Sequence, residues 1–194
     1  KDFIKEIKYV ENRLEGKVTV FMSPGKAIIK RINSEKIFPS FLKDVDKNEI
    51  MEYSPELSTV NLLKNLGFEV SKVVMFIVPD FLTDRKKFEA IRSEVEILNE
   101  EKYPKVTESS VYLYYILKNI FKIENVEIEV FKEEATKPEN QKALQKMLWE
   151  ILDRYDMEQK VVIDIAPGFK NISIMQVIYS LFKKKSFYYK FEGS

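Results

Sequence analysis

Residues 161–173 read VVIDIAPGFKNIS, and this stretch decides the fold class. Its first six residues form a nearly continuous apolar run, which is typical of a strand covered on both faces of a sheet. A Pro-Gly pair follows at Pro167 and Gly168, and a strongly apolar helical segment then continues to Phe182. A buried strand that passes directly into a helix is the repeating unit of a parallel α/β sheet.

The same alternation extends over most of the chain. Apolar or alternating runs predict strands at residues 18–22 (VTVFM), 27–32, 73–78 (VVMFIV), 126–131 (VEIEVF) and 187–191. Helices are predicted from Ser54-Pro55 to Gly67, after Thr83 or Asp84, over residues 113–121, and from a capping box at Thr136 and Glu139. We therefore predict an α/β, Rossmann-like fold, with a mostly parallel sheet and helices on both faces.

Composition bounds the chemistry. The 194 residues suffice for one domain, and no apolar run approaches the roughly 18 residues of a membrane span. With 32 basic and 31 acidic residues the formal charge is +1, so we expect no duplex nucleic acid partner. The chain contains neither cysteine nor histidine, which excludes thiol nucleophiles, disulfides and imidazole-based mechanisms within these residues.

Residues 1–16 are predicted to form a separate connector helix that precedes a ligand-binding domain over residues 17–194. Phe3, Ile7, Val10 and Leu14 follow one another at spacings of four, three and four, and Gly16 ends the segment. A helix that simply packs on the core is the alternative. The start at Lys1 and the connector-like pattern lead us to expect an output module upstream, for example a transmembrane segment that would tether a cytoplasmic domain to the inner face of the cell membrane.

The segment after the strand at residues 161–166 carries the most specific chemistry. Gly168 permits close backbone approach, and the following helix begins with N–H groups that no helical carbonyl accepts. Together with the ammonium group of Lys170, these N–H groups would bind a phosphate. The alternative is that Gly168 only serves the turn and Lys170 is a solvated surface residue.

This segment resembles the C-terminal motif of CARF domains, the CRISPR-associated Rossmann-fold sensors, which reads strand, Thr, Gly, Gly, Thr, Lys, x, Met, Ser, helix. Gly168, Lys170 and Ser173 match the glycine, lysine and serine of that motif, and Ile172 conservatively replaces the methionine. The departures from the motif are Ala166, Pro167 and Phe169. The resemblance extends loosely over most of residues 17–191.

The resemblance implies a homodimer that binds a cyclic oligoadenylate, most simply cyclic tetra-adenylate, as the second messenger of type III CRISPR antiviral defence. It implies a sensor without catalytic residues, metal or cofactor. A cyclic ligand can share the two-fold axis of such a dimer. The residues assigned to the ligand are Ser23, Pro24, Gly25, Ser58, Thr59, Thr83, Asp84, Gly168, Phe169, Lys170, Asn171 and Ser173.

Two enzymatic alternatives remain open. In a ring nuclease, Lys170 and Ser173 would assist attack of a ribose hydroxyl on its own phosphate without histidine or metal. An unrelated nucleotide-binding Rossmann-like enzyme is the second, although the Gly-x-Gly-x-x-Gly fingerprint is absent after the first strand. A metal nuclease built on Asp80, Glu127 and Glu129 has poor spacing, and alternating glutamates on a strand predict a solvated face.

Overall fold

The computed structural model describes residues 17–29, 49, 54–78, 107–156, 160–164, 170–183 and 186–188. The strands in these ranges are β1 (Lys17–Met22), β2 (Glu69–Ile77), β3 (Asn125–Val130), β4 (Lys160–Asp164) and β5 (Ser186–Tyr188). The main helices are α1 (Pro55–Asn65), α2 (Glu108–Tyr115), α3 (Gln141–Asp156) and α4 (Lys170–Lys183).

The five strands form one sheet in the order β3-β2-β1-β4-β5, and every neighbouring pair is parallel. β1 lies at the centre, where Val20 pairs with Val73 of β2 on one side and with Val162 of β4 on the other. Parallel strands need crossover connections, which here are helical. The predicted Rossmann-like α/β fold with a parallel sheet is confirmed.

Helices cover both faces of the sheet. Successive strand residues point to opposite faces, so Val20 and its neighbour Phe21 belong to two different cores. The first core packs one face against α1 and α2, whereas the second packs the other face against α3 and α4. Burial on both sides explains why β1, β2 and β4 read as continuous apolar runs rather than as alternating ones.

The helix α1 begins and ends as its sequence predicts. The Ser54 hydroxyl accepts a hydrogen bond from the Leu57 amide at 3.4 Å, and Pro55 occupies the first turn. After the helix, Gly67 adopts a φ of +89°, a left-handed conformation that only glycine enters without strain. The chain thereby turns from the end of α1 into β2.

One local prediction is wrong, and a second differs from the structure in where the helix starts. Residues 27–29 form a helical turn rather than a strand, and Ile28 packs into the first core, because the chain leaving β1 must turn onto that face. The helix predicted after Thr136 and Glu139 is present, but a 3₁₀ turn (Pro138–Asn140) comes first and α3 starts at Gln141. A short run of residues lacks the periodicity needed to resolve either case.

The helix predicted over residues 113–121 starts earlier than expected. Thr107 and Ser110 form a capping box ahead of α2, and the helix continues beyond Tyr115 as a π-helical turn (Ile116–Ile120). Three predicted elements lie outside the described residues: the connector helix over residues 1–16, the helix after Thr83 or Asp84, and the end of the last strand.

No helix in the described ranges is both long and apolar enough to cross a membrane.

Candidate functional site

The loops that leave β1 and β4 start side by side at the carboxyl edge of the sheet. Met22, the last residue of β1, pairs with Asp164, the last residue of β4. The chain after β1 passes to the face covered by α1, and the chain after β4 passes to the face covered by α4. This divergence is the topological switch point at which doubly wound sheets bind ligands. We call the surrounding residues (23–25, 54–59, 164 and 170–173) the switch-point edge.

Ser23 and Gly25, in the loop after β1, form hydrogen bonds to neighbouring elements. Ser23 is buried, and its hydroxyl donates to the Phe76 carbonyl of β2 at 3.5 Å. The Gly25 amide donates to Oε1 of Glu56 at 2.7 Å, while Pro24 and Gly25 are half-buried. Of the three loop residues assigned to the ligand, Pro24 and Gly25 are therefore the ones with exposed surface at this edge.

Glu56 is a site residue that the sequence analysis missed. It lies in the first turn of α1 and is only 1% exposed. Burial raises the pKa of its carboxyl group, and the hydrogen bond from the Gly25 amide partly opposes that effect. In the sequence, a glutamate behind Ser54-Pro55 is an ordinary acidic residue in a first helical turn. Only the tertiary contact with Gly25 distinguishes it.

Ser58 and Thr59 lie one turn further along α1. Each hydroxyl donates to a carbonyl four residues earlier, from Ser58 to Ser54 at 3.3 Å and from Thr59 to Pro55 at 3.2 Å. Thr59 is fully buried, whereas Ser58 is partly exposed. Within this pair, Ser58 is the one whose surface reaches the switch-point edge.

The first turn of α4 presents a cation. Lys170 is the first residue of the helix and is exposed, and Ser173 is half-buried in the same turn. The positive end of the helix dipole and the N–H groups of the first turn add to the charge of Lys170. The Asn171 side chain instead donates to the Ala135 carbonyl at 3.0 Å, which ties α4 to the segment between β3 and α3.

Asp164 is a second buried acid at this edge. It is fully buried at the end of β4, and its position as the one charged residue in the run VVIDIA is a signal that the sequence does contain. By strand alternation the Asp164 side chain lies on the face of the sheet that α1 covers. The remaining predicted site residues, Thr83, Asp84, Gly168 and Phe169, lie outside the described residues.

Glu127 and Glu129 of β3 do not form the solvated face that the sequence predicts. The Tyr155 hydroxyl donates to Glu127 and lies 3.3 Å from Glu129, and Lys72 and Arg154 form ion pairs with Glu127 and Glu129 at 3.7 and 3.5 Å. Burial is the main cause that raises the pKa of Tyr155, and the hydrogen bond to Glu127 and its charge raise it further. α3 runs back along the sheet, so its last turns bring Tyr155 and Arg154 over β3.

Among the residues the structure describes, no three acidic side chains are placed to hold a metal ion.

Comparison with protein-family models gives no match, and comparison with curated proteins gives none either.

Proposed function

We propose that this chain is a sensor domain, not an enzyme, that binds a cyclic oligoadenylate, most simply cyclic tetra-adenylate, at the switch-point edge of a homodimer. The observation that carries the proposal is the exposed Lys170 at the first residue of α4, at the switch point of a sheet ordered β3-β2-β1-β4-β5. Ligands of doubly wound folds bind at this position.

Phosphate recognition is the first support. The N–H groups at the start of α4 and the ammonium group of Lys170 act on the same side of the switch-point edge. Lys170 is also the residue that matches the lysine of the CARF motif. The net charge of +1 makes such a local cation the means by which a small polyanion would be bound.

An exposed apolar stripe on α4 supports the homodimer. Ile174, Ile178 and Leu181 are 57%, 37% and 66% exposed, and their spacing of four and three places them along one side of the helix. A two-fold contact between two α4 helices would cover this stripe in both copies at once. Since α4 starts at Lys170, the same helix would belong both to the dimer contact and to the phosphate site.

The proposed output lies outside this chain. By the CARF resemblance, binding of the cyclic messenger signals to an output module, such as a transmembrane segment, and the domain acts in the cytoplasm in antiviral defence. The domain itself then needs no catalytic group, metal or cofactor to perform its role.

Thermal unfolding with a panel of ligands tests the proposal. Cyclic tetra-adenylate, cyclic hexa-adenylate, linear oligoadenylate, NAD and ATP are compared on the wild type, Lys170→Ala and the control Lys146→Ala, which removes an exposed lysine of α3. A ligand at a hundred times its Kd adds about 2.7 kcal/mol of stability, which raises the Tm by several degrees. We expect one cyclic ring to stabilise the wild type and Lys146→Ala but not Lys170→Ala.

The same panel contains the results that would reject the proposal. No shift of the Tm with either ring would reject the proposal. A clear shift with NAD or ATP alone would also reject it and would favour the unrelated nucleotide-binding Rossmann-like enzyme. Recovery of the ring after incubation separates a sensor from a ring nuclease, because the sensor releases the ring intact.

A further inference from the structure

The position of the loop after β1 depends on a side chain for which the proposed function gives no role. Gly25 and Glu56 are 31 residues apart in sequence, yet the Gly25 amide and Oε1 of Glu56 are 2.7 Å apart. This distance is at the short end of the range for an N–H···O hydrogen bond. The hydrogen bond from the Ser23 hydroxyl to the Phe76 carbonyl is longer, at 3.5 Å, and correspondingly weaker.

We expect the burial of the Glu56 carboxylate to lower the stability of the domain. Glu56 is 1% exposed, and its second carboxylate oxygen is buried and accepts no hydrogen bond from the residues the structure describes. A buried carboxylate with an unpaired oxygen loses its hydration without full compensation. Arrangements that lower stability in this way are concentrated at functional sites, and this one lies at the switch-point edge.

We propose that Glu56 is a positioning residue that holds the loop after β1 through the Gly25 amide and so leaves the phosphate groups of the ligand to the first turn of α4. This inference rests on the proposed function. Because the Gly25 N–H is already donated to Glu56, it is not offered to a phosphate oxygen. The uncharged nucleoside part of the ligand then lies beside Pro24 and Gly25, and the phosphate lies beside Lys170.

Two substitutions separate the reach of the Glu56 side chain from its charge. Glu56→Gln keeps an oxygen acceptor at the same distance and removes the charge, whereas Glu56→Asp keeps the charge and is one methylene too short to meet Gly25. Glu69→Gln at the opposite edge of the sheet, where the side chain is exposed, is the control. Glu56→Ala, which loses both reach and charge, replaces the aspartate variant if that variant does not fold.

Hydrogen exchange of the Gly25 amide in the ligand-free protein tests the contact itself. We expect exchange at least about tenfold faster in Glu56→Asp than in the wild type, because the amide then opens to water, and near wild-type exchange in Glu56→Gln and Glu69→Gln. Equal protection in Glu56→Asp and the wild type, or equal loss in Glu56→Asp and Glu56→Gln, would overturn the proposal.

Binding of cyclic tetra-adenylate at several salt concentrations tests whether the nucleoside part of the ligand lies beside the loop after β1 and the phosphate beside Lys170. We expect Glu56→Asp to weaken binding at least about tenfold without changing the salt dependence, Glu56→Gln to bind within about threefold of the wild type, and Lys170→Ala to reduce the salt dependence. Wild-type affinity in Glu56→Asp, or a reduced salt dependence in that variant, would contradict the positioning role. If the wild type binds no ring, the proposed function fails, while the Gly25 exchange result still decides whether Glu56 holds the loop.

Discussion

Tyr179 of α4 donates a hydrogen bond to Asp153 of α3 at 2.9 Å, and Lys183 approaches the same carboxylate oxygen at 3.3 Å. Tyr179 is fully buried, and its ring meets Trp149 edge-on at 5.8 Å. The contact joins the two helices that cover the second core. It fixes the position of α4, the helix that carries both Lys170 and the exposed apolar stripe.

Tyr179→Phe should lower the free energy of unfolding by about 1–2 kcal/mol, because it removes one hydrogen bond to a charged acceptor and leaves the ring packed. Denaturant unfolding measures the change. Asp153→Ala, which removes the acceptor, completes a double-mutant cycle for this pair. A variant Tyr179→Phe as stable as the wild type would show that the half-exposed Asp153 is equally well hydrated by water.

Glu56→Gln should stabilise the domain at neutral pH and much less in acid. Burial raises the pKa of Glu56, so the folded state keeps its proton while the unfolded state loses its own near pH 4.5. The unfolded state therefore binds fewer protons above that pH, and the stability that Glu56 contributes falls as the pH rises through its folded pKa. Unfolding free energies from pH 4 to 8 check this, with Glu69→Gln as the control. A constant difference between wild type and Glu56→Gln across this range would disprove it.

Tyr155→Phe should change how stability declines in base. Burial and Glu127 raise the pKa of Tyr155, so above about pH 10 the hydroxyl ionises in the unfolded state before the folded one. The stabilisation from the raised pKa is thus complete below pH 10 and decreases above it. We expect the wild type to lose stability between pH 9 and 11 more steeply than Tyr155→Phe. Because the chain contains ten tyrosines, only the difference between the two proteins is informative.

Leu181→Lys should weaken self-association of the domain. The substitution places a charge within the surface that a second copy would cover. The Leu181 side chain is 66% exposed and contributes little to folding. Sedimentation velocity over a range of concentrations measures the effect. Leu62→Lys, on α1 and outside the stripe, is the matched control. Equal association of Leu181→Lys and wild type would exclude this face of α4 as the dimer contact.

Gly67→Ala should destabilise the domain by about 1–2 kcal/mol through backbone strain alone. The φ of +89° disfavours any side chain, but a Cβ at this position meets no atom within 4 Å. Gly67→Asn should destabilise the domain less than Gly67→Ala, because asparagine tolerates a left-handed backbone conformation better than alanine does. Thermal unfolding of both variants checks the order. Similar losses for the two variants would point to a cause other than the backbone conformation.

The strands and helices of this chain were predictable where the pattern is long. The apolar runs of β1, β2 and β4, the start of α1 at Ser54 and the turn at Gly67 are local signals, and the structure confirms each of them. The short segment at residues 27–29 was not predictable, because a few apolar residues suit either a strand or a helical turn. Its conformation follows from the need to bury Ile28.

The α/β class and the candidate cation at Lys170 could be predicted from the sequence, because alternating apolar periods and a strand-to-helix turn are local properties. Tertiary structure alone decided that β1 and β4 are neighbours, that Glu56 holds Gly25, and that Tyr155 bridges Glu127 and Glu129. Each of these contacts joins residues about 26 or more positions apart. Such pairings depend on which elements pack together, and the pattern of a single segment carries no information about its distant partner.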